Sequence, residues 1–284
     1  VHKKCSALQM AAKKNCAYSA ELLLCALTSA PPESTTKDVE TEQAVPIPPS
    51  LLDAPAIAAV EANSVEVLAK LLVAKANVLS AAAPDGSPLL HIAVAHDFQD
   101  CASLLLHFQA DVNALTETAN ETPLMWCVRN NAIAALDVLV HAKASVDTVL
   151  AEDGFTPLHC AVQNDCPQMV NLLLRAHATA DVQCTVGLAP IHIAAMQDNT
   201  SALQHLVEAG ANVHIQSPNG STPLYFAANR GTVEAVSVLL KAKANPHAPP
   251  SYTVDVSPLV VAEQLSHTKC AELLQEAADR DNNS

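Results

Sequence analysis

Three histidines, His91, His159 and His192, are the first residues whose type and spacing could do chemistry, since imidazole binds metals and moves protons near neutral pH. His159-Cys160 followed by Asp165-Cys166 adds a thiol–imidazole pairing on paper. The spacing argues against both uses. His159 and His192 lie one regular period apart and His91 two periods before His159, so the three fall on separate stacked units at least about 10 Å apart. That is too far to share a zinc ion with bonds of about 2 Å. Adjacent helical residues point about 100° apart, so His159 cannot readily activate Cys160. A buried imidazole at a repeated slot is expected to be paired within the fold. No Cys-x-x-Cys pair, phosphate-cradling glycine loop or nucleophile elbow occurs, and the chain has only six glycines. Neither a catalytic residue, a metal site nor a cofactor is expected.

What must position these histidines is a repeated stretch, fullest at Gly154-Phe155-Thr156-Pro157-Leu158-His159-Cys160-Ala161. Its copies put Ile57, His91, Met125, His159, His192, Tyr225 and Val260 in register, with steps of 34, 34, 34, 33, 33 and 35 by subtraction. Such a period indicates stacked supersecondary units. Thr-Pro or Ser-Pro at the Met125, His159, Tyr225 and Val260 copies, and the proline alone in Ala189-Pro190-Ile191-His192, predict a helix start, because the hydroxyl caps an orphan N–H and proline suits the first helical position. Ala54-Pro55-Ala56-Ile57 is read the same way, and at His91 the proline, Pro88, comes one residue early. About twenty residues on, runs such as Leu104-Leu105-Leu106, Val138-Leu139-Val140 and Leu172-Leu173-Leu174 predict a second helix. Polar turns such as Asn130-Asn131 and Asn164-Asp165 separate the pair.

This pattern resembles the ankyrin-repeat family, whose units open on Gly-x-Thr-Pro-Leu-His-x-Ala and close on Leu-Leu-x-x-Gly-Ala-Asp-Val-Asn at a period of about 33 residues. The resemblance implies an all-α solenoid of helix-turn-helix units joined by short β-hairpin loops. A divergent unit at 1–28 precedes a Pro/Ser/Thr/Glu-rich insert at 29–50, expected to be flexible; the array spans 51–278 and a polar tail 279–284, giving eight units. The family ends its second helices on a left-handed glycine, kept here only at Gly210; Lys75, Gln109, Lys143, His177 and Lys243 occupy the slot instead.

Composition agrees. Half the residues are apolar and only 3% aromatic, which suits thin Ala- and Leu-rich helix pairs. A formal charge of −14 argues against nucleic acid, whose binding rests on Lys and Arg, and against an anionic membrane surface. No apolar run is long enough to span a bilayer. An odd number of scattered cysteines, nine, reads as free thiols in a reducing compartment, cytoplasmic or nuclear.

By the resemblance, partners meet the hairpin tips and the exposed side of the first helices. Transferred to this chain, those slots give Glu121, Arg129 and Asn130, with Trp126 nearby, then Asp153, Phe155 and Gln163, then Leu188, Met196 and Gln197, and Arg230. Phe155, Leu188 and Met196 place large apolar groups where surface is ordinarily polar, a sign of contact. Trp126 fits equally a contact role and packing between helices. Glu117, Glu121, Glu152 and Asp153 add acid, complementary to a partner segment with apolar residues and Lys or Arg. The surroundings of Asn113 resemble those that asparaginyl hydroxylases modify in ankyrin repeats, and the same residues stabilise the hairpin without any enzyme. The expected function is a monomeric, non-catalytic scaffold offering a concave surface to a protein or peptide. A chain beginning at Val1 keeps open the alternative of a regulatory or targeting region of a larger enzyme, such as a kinase, ubiquitin ligase or acyltransferase.

Overall fold

The structure, a computed structural model, describes residues 2–17, 19–21, 23, 50–74, 86–248 and 256–282. The chain comprises two compact units, Val1–Ala144 and Ser145–Ser284. In the first lie α1 (His2–Lys13), α2 (Ser50–Glu61), α3 (Val65–Val73), α4 (Leu89–Ala95), α5 (Gln99–His107), α6 (Pro123–Arg129) and α7 (Ile133–His141). In the second lie α8 (Pro157–Gln163), α9 (Pro167–Arg175), α10 (Pro190–Gln197), α11 (Thr200–Glu208), α12 (Pro223–Arg230), α13 (Val233–Lys241), α14 (Pro258–Gln264) and α15 (Thr268–Asn282).

Within each unit, first helices pack on first helices (α2, α4, α6; α8, α10, α12, α14) and second on second (α3, α5, α7; α9, α11, α13, α15). Six second helices bury the same three slots: Val67, Leu68 and Leu71; Cys101, Ala102 and Leu105; Ala135, Leu136 and Leu139; Met169, Val170 and Leu173; Ala202, Leu203 and Leu206; Ala235, Val236 and Leu239, all fully buried. The i, i+1, i+4 spacing places them on one stripe. Each buried leucine contributes about 1.5–3 kcal/mol, so neighbouring repeats hold one another. The N-terminal segment packs on this array: α1 lies against α2, the Ser64 hydroxyl donates to the Ala12 carbonyl at 2.9 Å, and Lys70 pairs with Glu21.

Thr-Pro caps work as their chemistry demands. The Thr122, Thr222 and Ser257 hydroxyls accept from the backbone N–H of Met125, Tyr225 and Val260. Pro55 is a correction: it lies inside α2, which begins at Ser50, five residues earlier. Ala54 has no side-chain acceptor to stop the helix there, and the added turn fully buries Leu52. The tight turns between paired helices hold Asn15, Asn63, Asp97, Asn131, Asp165, Asp198, Gly231 and Ser266 at positive φ. Gln109, Lys143, His177 and Lys243 take the left-handed conformation too, at φ from 62 to 65°; Lys75 lies outside the described residues, as does almost all of the 29–50 insert. At the other end α15 carries the polar sequence on to Asn282.

Four described connections between repeats are hairpins whose ends are joined by a backbone hydrogen bond, Thr116 N–H to Glu121, Leu150 to Phe155, Cys184 to Leu188 and Ser217 to Ser221, each with a second bond inside the turn, from Asn120, Gly154, Gly187 and Gly220. Among the described residues they are turns and carry no extended strand ladder.

Candidate protein-interaction face

The histidine slot is structural. His91, His159 and His192 are fully buried. Their Nε2–H groups donate to carbonyls of the following hairpin: Glu121 at 2.9 Å, Leu188 at 3.0 Å and Ile215 at 3.1 Å. That leaves Nδ1 as acceptor. In His159 it takes bonds from the Thr156 N–H and hydroxyl, and in His192 from the Ala189 N–H. His91 Nδ1 has no partner. Its N-cap residue is Pro88, which has neither N–H nor hydroxyl to offer. Burial lowers the pKa of all three imidazoles, that of His192 to about 4, so they are neutral near pH 7.

Burial acts oppositely on the thiols. It lifts Cys101 to about 11, with Asp100 adding to it, and also raises Cys127 and Cys270. None of these three is a thiolate nucleophile at neutral pH. Among the described residues, no three His, Cys, Asp or Glu side chains converge as a metal site would require.

In the first unit, the sequence-derived site residues gather around α6. Trp126 stands edge-on to His91, with ring centroids 5.2 Å apart, and stays half-buried. Its packing between repeats is real, and part of the ring remains accessible. Glu121 departs from the exposed acid expected: its side chain is only 7% exposed and pairs with Arg129 at 2.7 Å. The Arg129 guanidinium is half-exposed above it, which spares the buried carboxylate an unpaired charge. Asn130 is exposed at the end of α6, its side-chain amide donating to the Trp126 carbonyl.

In the second unit, Asp153, Phe155 and Leu188 converge on His159. Phe155 stacks on its ring at 5.1 Å, and Leu188 supplies its acceptor carbonyl. The Asp153 carboxylate accepts the Phe155 N–H, while its carbonyl accepts from the N–H and hydroxyl of Thr185 in the next hairpin. Phe155 and Leu188 are half-buried. Gln163, Met196, Gln197 and Arg230 are exposed at the ends of α8, α10 and α12; they share a face by register rather than by direct contact.

Sequence reasoning missed three side chains on the hairpins, Leu115, Val149 and Val186, which are 55, 58 and 63% exposed. The signal was available for two. Leu115 and Val149 stand one residue before the hairpin-closing residue, where the next two repeats carry Gln183 and Gln216. Asn113 is exposed beside the hairpin, its N–H held by the Asp111 carboxylate.

The family profile described as ankyrin repeats (3 copies) matches residues 109–185 and 191–284, and that of the single ankyrin repeat matches 85–117. The chain belongs to the ankyrin-repeat family. Among solved structures it is similar to the ankyrin repeat domain of Bcl-3, described as a unique member of the IkappaB protein family. The TM-score is 0.67 and the identity 24%, over 82% of this chain and 97% of that one. Comparison with curated proteins gives no significant match. Among the described residues no helix is long and apolar enough to cross a membrane.

Proposed function

We propose that the chain is a non-catalytic scaffold that holds a protein or peptide partner on its hairpins and first helices. It acts as a monomer in the cytosol or nucleus. The observation that carries this reading is the apolar exposure on that face in the second unit: Val149, Val186 and Met196 are open, beside half-buried Phe155 and Leu188. In a chain of net charge −14, open aliphatic groups on one face signal contact rather than ordinary surface. Glu152 and Asp153 border them, so the partner segment is apolar with Lys or Arg, and a nucleic acid is disfavoured. Half-exposed Trp126 and Arg129, with Asn130, supply a smaller patch of anchor-type residues in the first unit. Asn113 belongs to the same reading as a candidate hydroxylation position.

The test is a pull-down from lysate, comparing wild type with a Val186→Glu, Met196→Glu variant. Both positions are exposed, so circular dichroism and melting should match wild type. A protein retained by wild type and lost by the variant supports the placement. Equal retention by both refutes it.

A further inference from the structure

The second unit has a groove of about 560 Å³ on its other side, between α13 with its following turn and α15. Its wall comes from an irregularity in the array: α15 has 15 residues where α9, α11 and α13 have nine. The extra turns carry Ala277 and Arg280 along the groove. Apolar side chains line its floor, chiefly Leu240, Pro246, Leu273 and Ala277.

The charge of the groove opposes that of the chain. Asp and Glu outnumber Lys and Arg by 29 to 15 overall, yet the charged residues lining the groove are Lys241, Lys243 and Arg280, all cations. Lys241 and Lys243 form no ion pair among the described residues, and both are exposed. Arg280 pairs with Glu276 at 3.1 Å within its own helix, so Lys241 and Lys243 are the cations that the groove presents to a ligand. Two exposed lysines over an apolar floor suit a short segment that alternates carboxylates with aliphatic side chains, and the volume falls within the ordinary range of ligand clefts.

We propose that this groove is a second binding site, taking an acidic linear peptide with interspersed aliphatic residues. It is separate from the hairpin face, whose borders are acidic and select a basic partner.

The test uses the full chain and a fluorescein-labelled peptide alternating Glu with Leu, followed by anisotropy. Saturable binding is expected, weakening about tenfold between about 50 and about 300 mM salt because exposed charges are screened. Lys243→Gly is the informative variant. It removes a cation and also releases a non-glycine residue from φ 65°, so affinity should fall about fivefold, the upper end for an exposed ion pair, while the melting temperature rises. Weaker binding by a more stable protein cannot come from unfolding. The Val186→Glu, Met196→Glu variant should bind the peptide as wild type does, which separates failure here from failure of the hairpin face. The proposal is overturned by absence of saturable binding, by equal binding of a Gln-for-Glu peptide, or by unchanged affinity of Lys243→Gly. Tighter binding of single-stranded RNA or anionic vesicles at the same salt would also overturn it, assigning the groove to another anion.

Discussion

Pro88 leaves a buried acceptor without a donor, and replacing it should stabilise the protein. His91 donates through Nε2, so its Nδ1 carries a lone pair in a site with no water access and no partner. In the sixth repeat Ala189 shows that a backbone N–H alone is enough, donating to His192 Nδ1 at 3.0 Å. In the fifth, Thr156 adds a hydroxyl at 2.8 Å. Pro88 already has the extended backbone of those caps, at φ −60° and ψ 154° against −88° and 165° for Thr156, so a replacement needs no rearrangement. Pairing a buried acceptor is worth about 1–3 kcal/mol. Against it stands the unfolded-state freedom regained when proline is removed, about 0.4–1 kcal/mol. Pro88→Ala should therefore gain about 1 kcal/mol, and Pro88→Thr about another 1 kcal/mol through the cap. At roughly 2–4 °C per kcal/mol for a chain of this size, Pro88→Thr should melt about 4–8 °C higher by calorimetry, with the urea midpoint moving the same way. Nitrogen NMR shifts of His91 should show Nδ1 moving from a free to a hydrogen-bonded acceptor. A fall or no change in stability for both variants would mean that the acceptor is already satisfied, and the reasoning would be wrong.

Two further outcomes follow from the same geometry. His192 has its pKa depressed from 6.5 to about 4, so between those values the unfolded state binds more protons. Its contribution is fully present above pH 6.5 and lost as pH falls toward 4, about 3 kcal/mol from this residue alone. His91 and His159 shift in the same direction. The urea midpoint should drop steadily from about pH 6.5 downward, and a flat profile to pH 5 would contradict the burial of these imidazoles. Lys143→Gly, at φ 62°, should raise stability by about 1 kcal/mol in chemical denaturation. A loss there would show that the lysine side chain makes compensating contacts.

The period of the sequence determined most of the fold. Repeats at 33 to 35 residues fixed the helix pairs, the Thr-Pro caps and the slot of the histidines, because capping and stripe burial are local chemistry repeated in register. The left-handed ends at Gln109, Lys143, His177 and Lys243 were legible for the same reason: a short turn between packed helices demands that backbone whatever side chain it carries. Tertiary structure decided what depends on neighbours. It buried Glu121 under Arg129, set Trp126 edge-on to His91, and gathered Phe155 and Leu188 around one imidazole, contacts between separate parts of the chain that spacing alone does not order. It also extended two helices beyond their expected limits, α2 backward through Pro55 and α15 onward to Asn282. The added turn of α2 fully buries Leu52, and the extension of α15 carries Ala277 and Arg280 along the cationic groove.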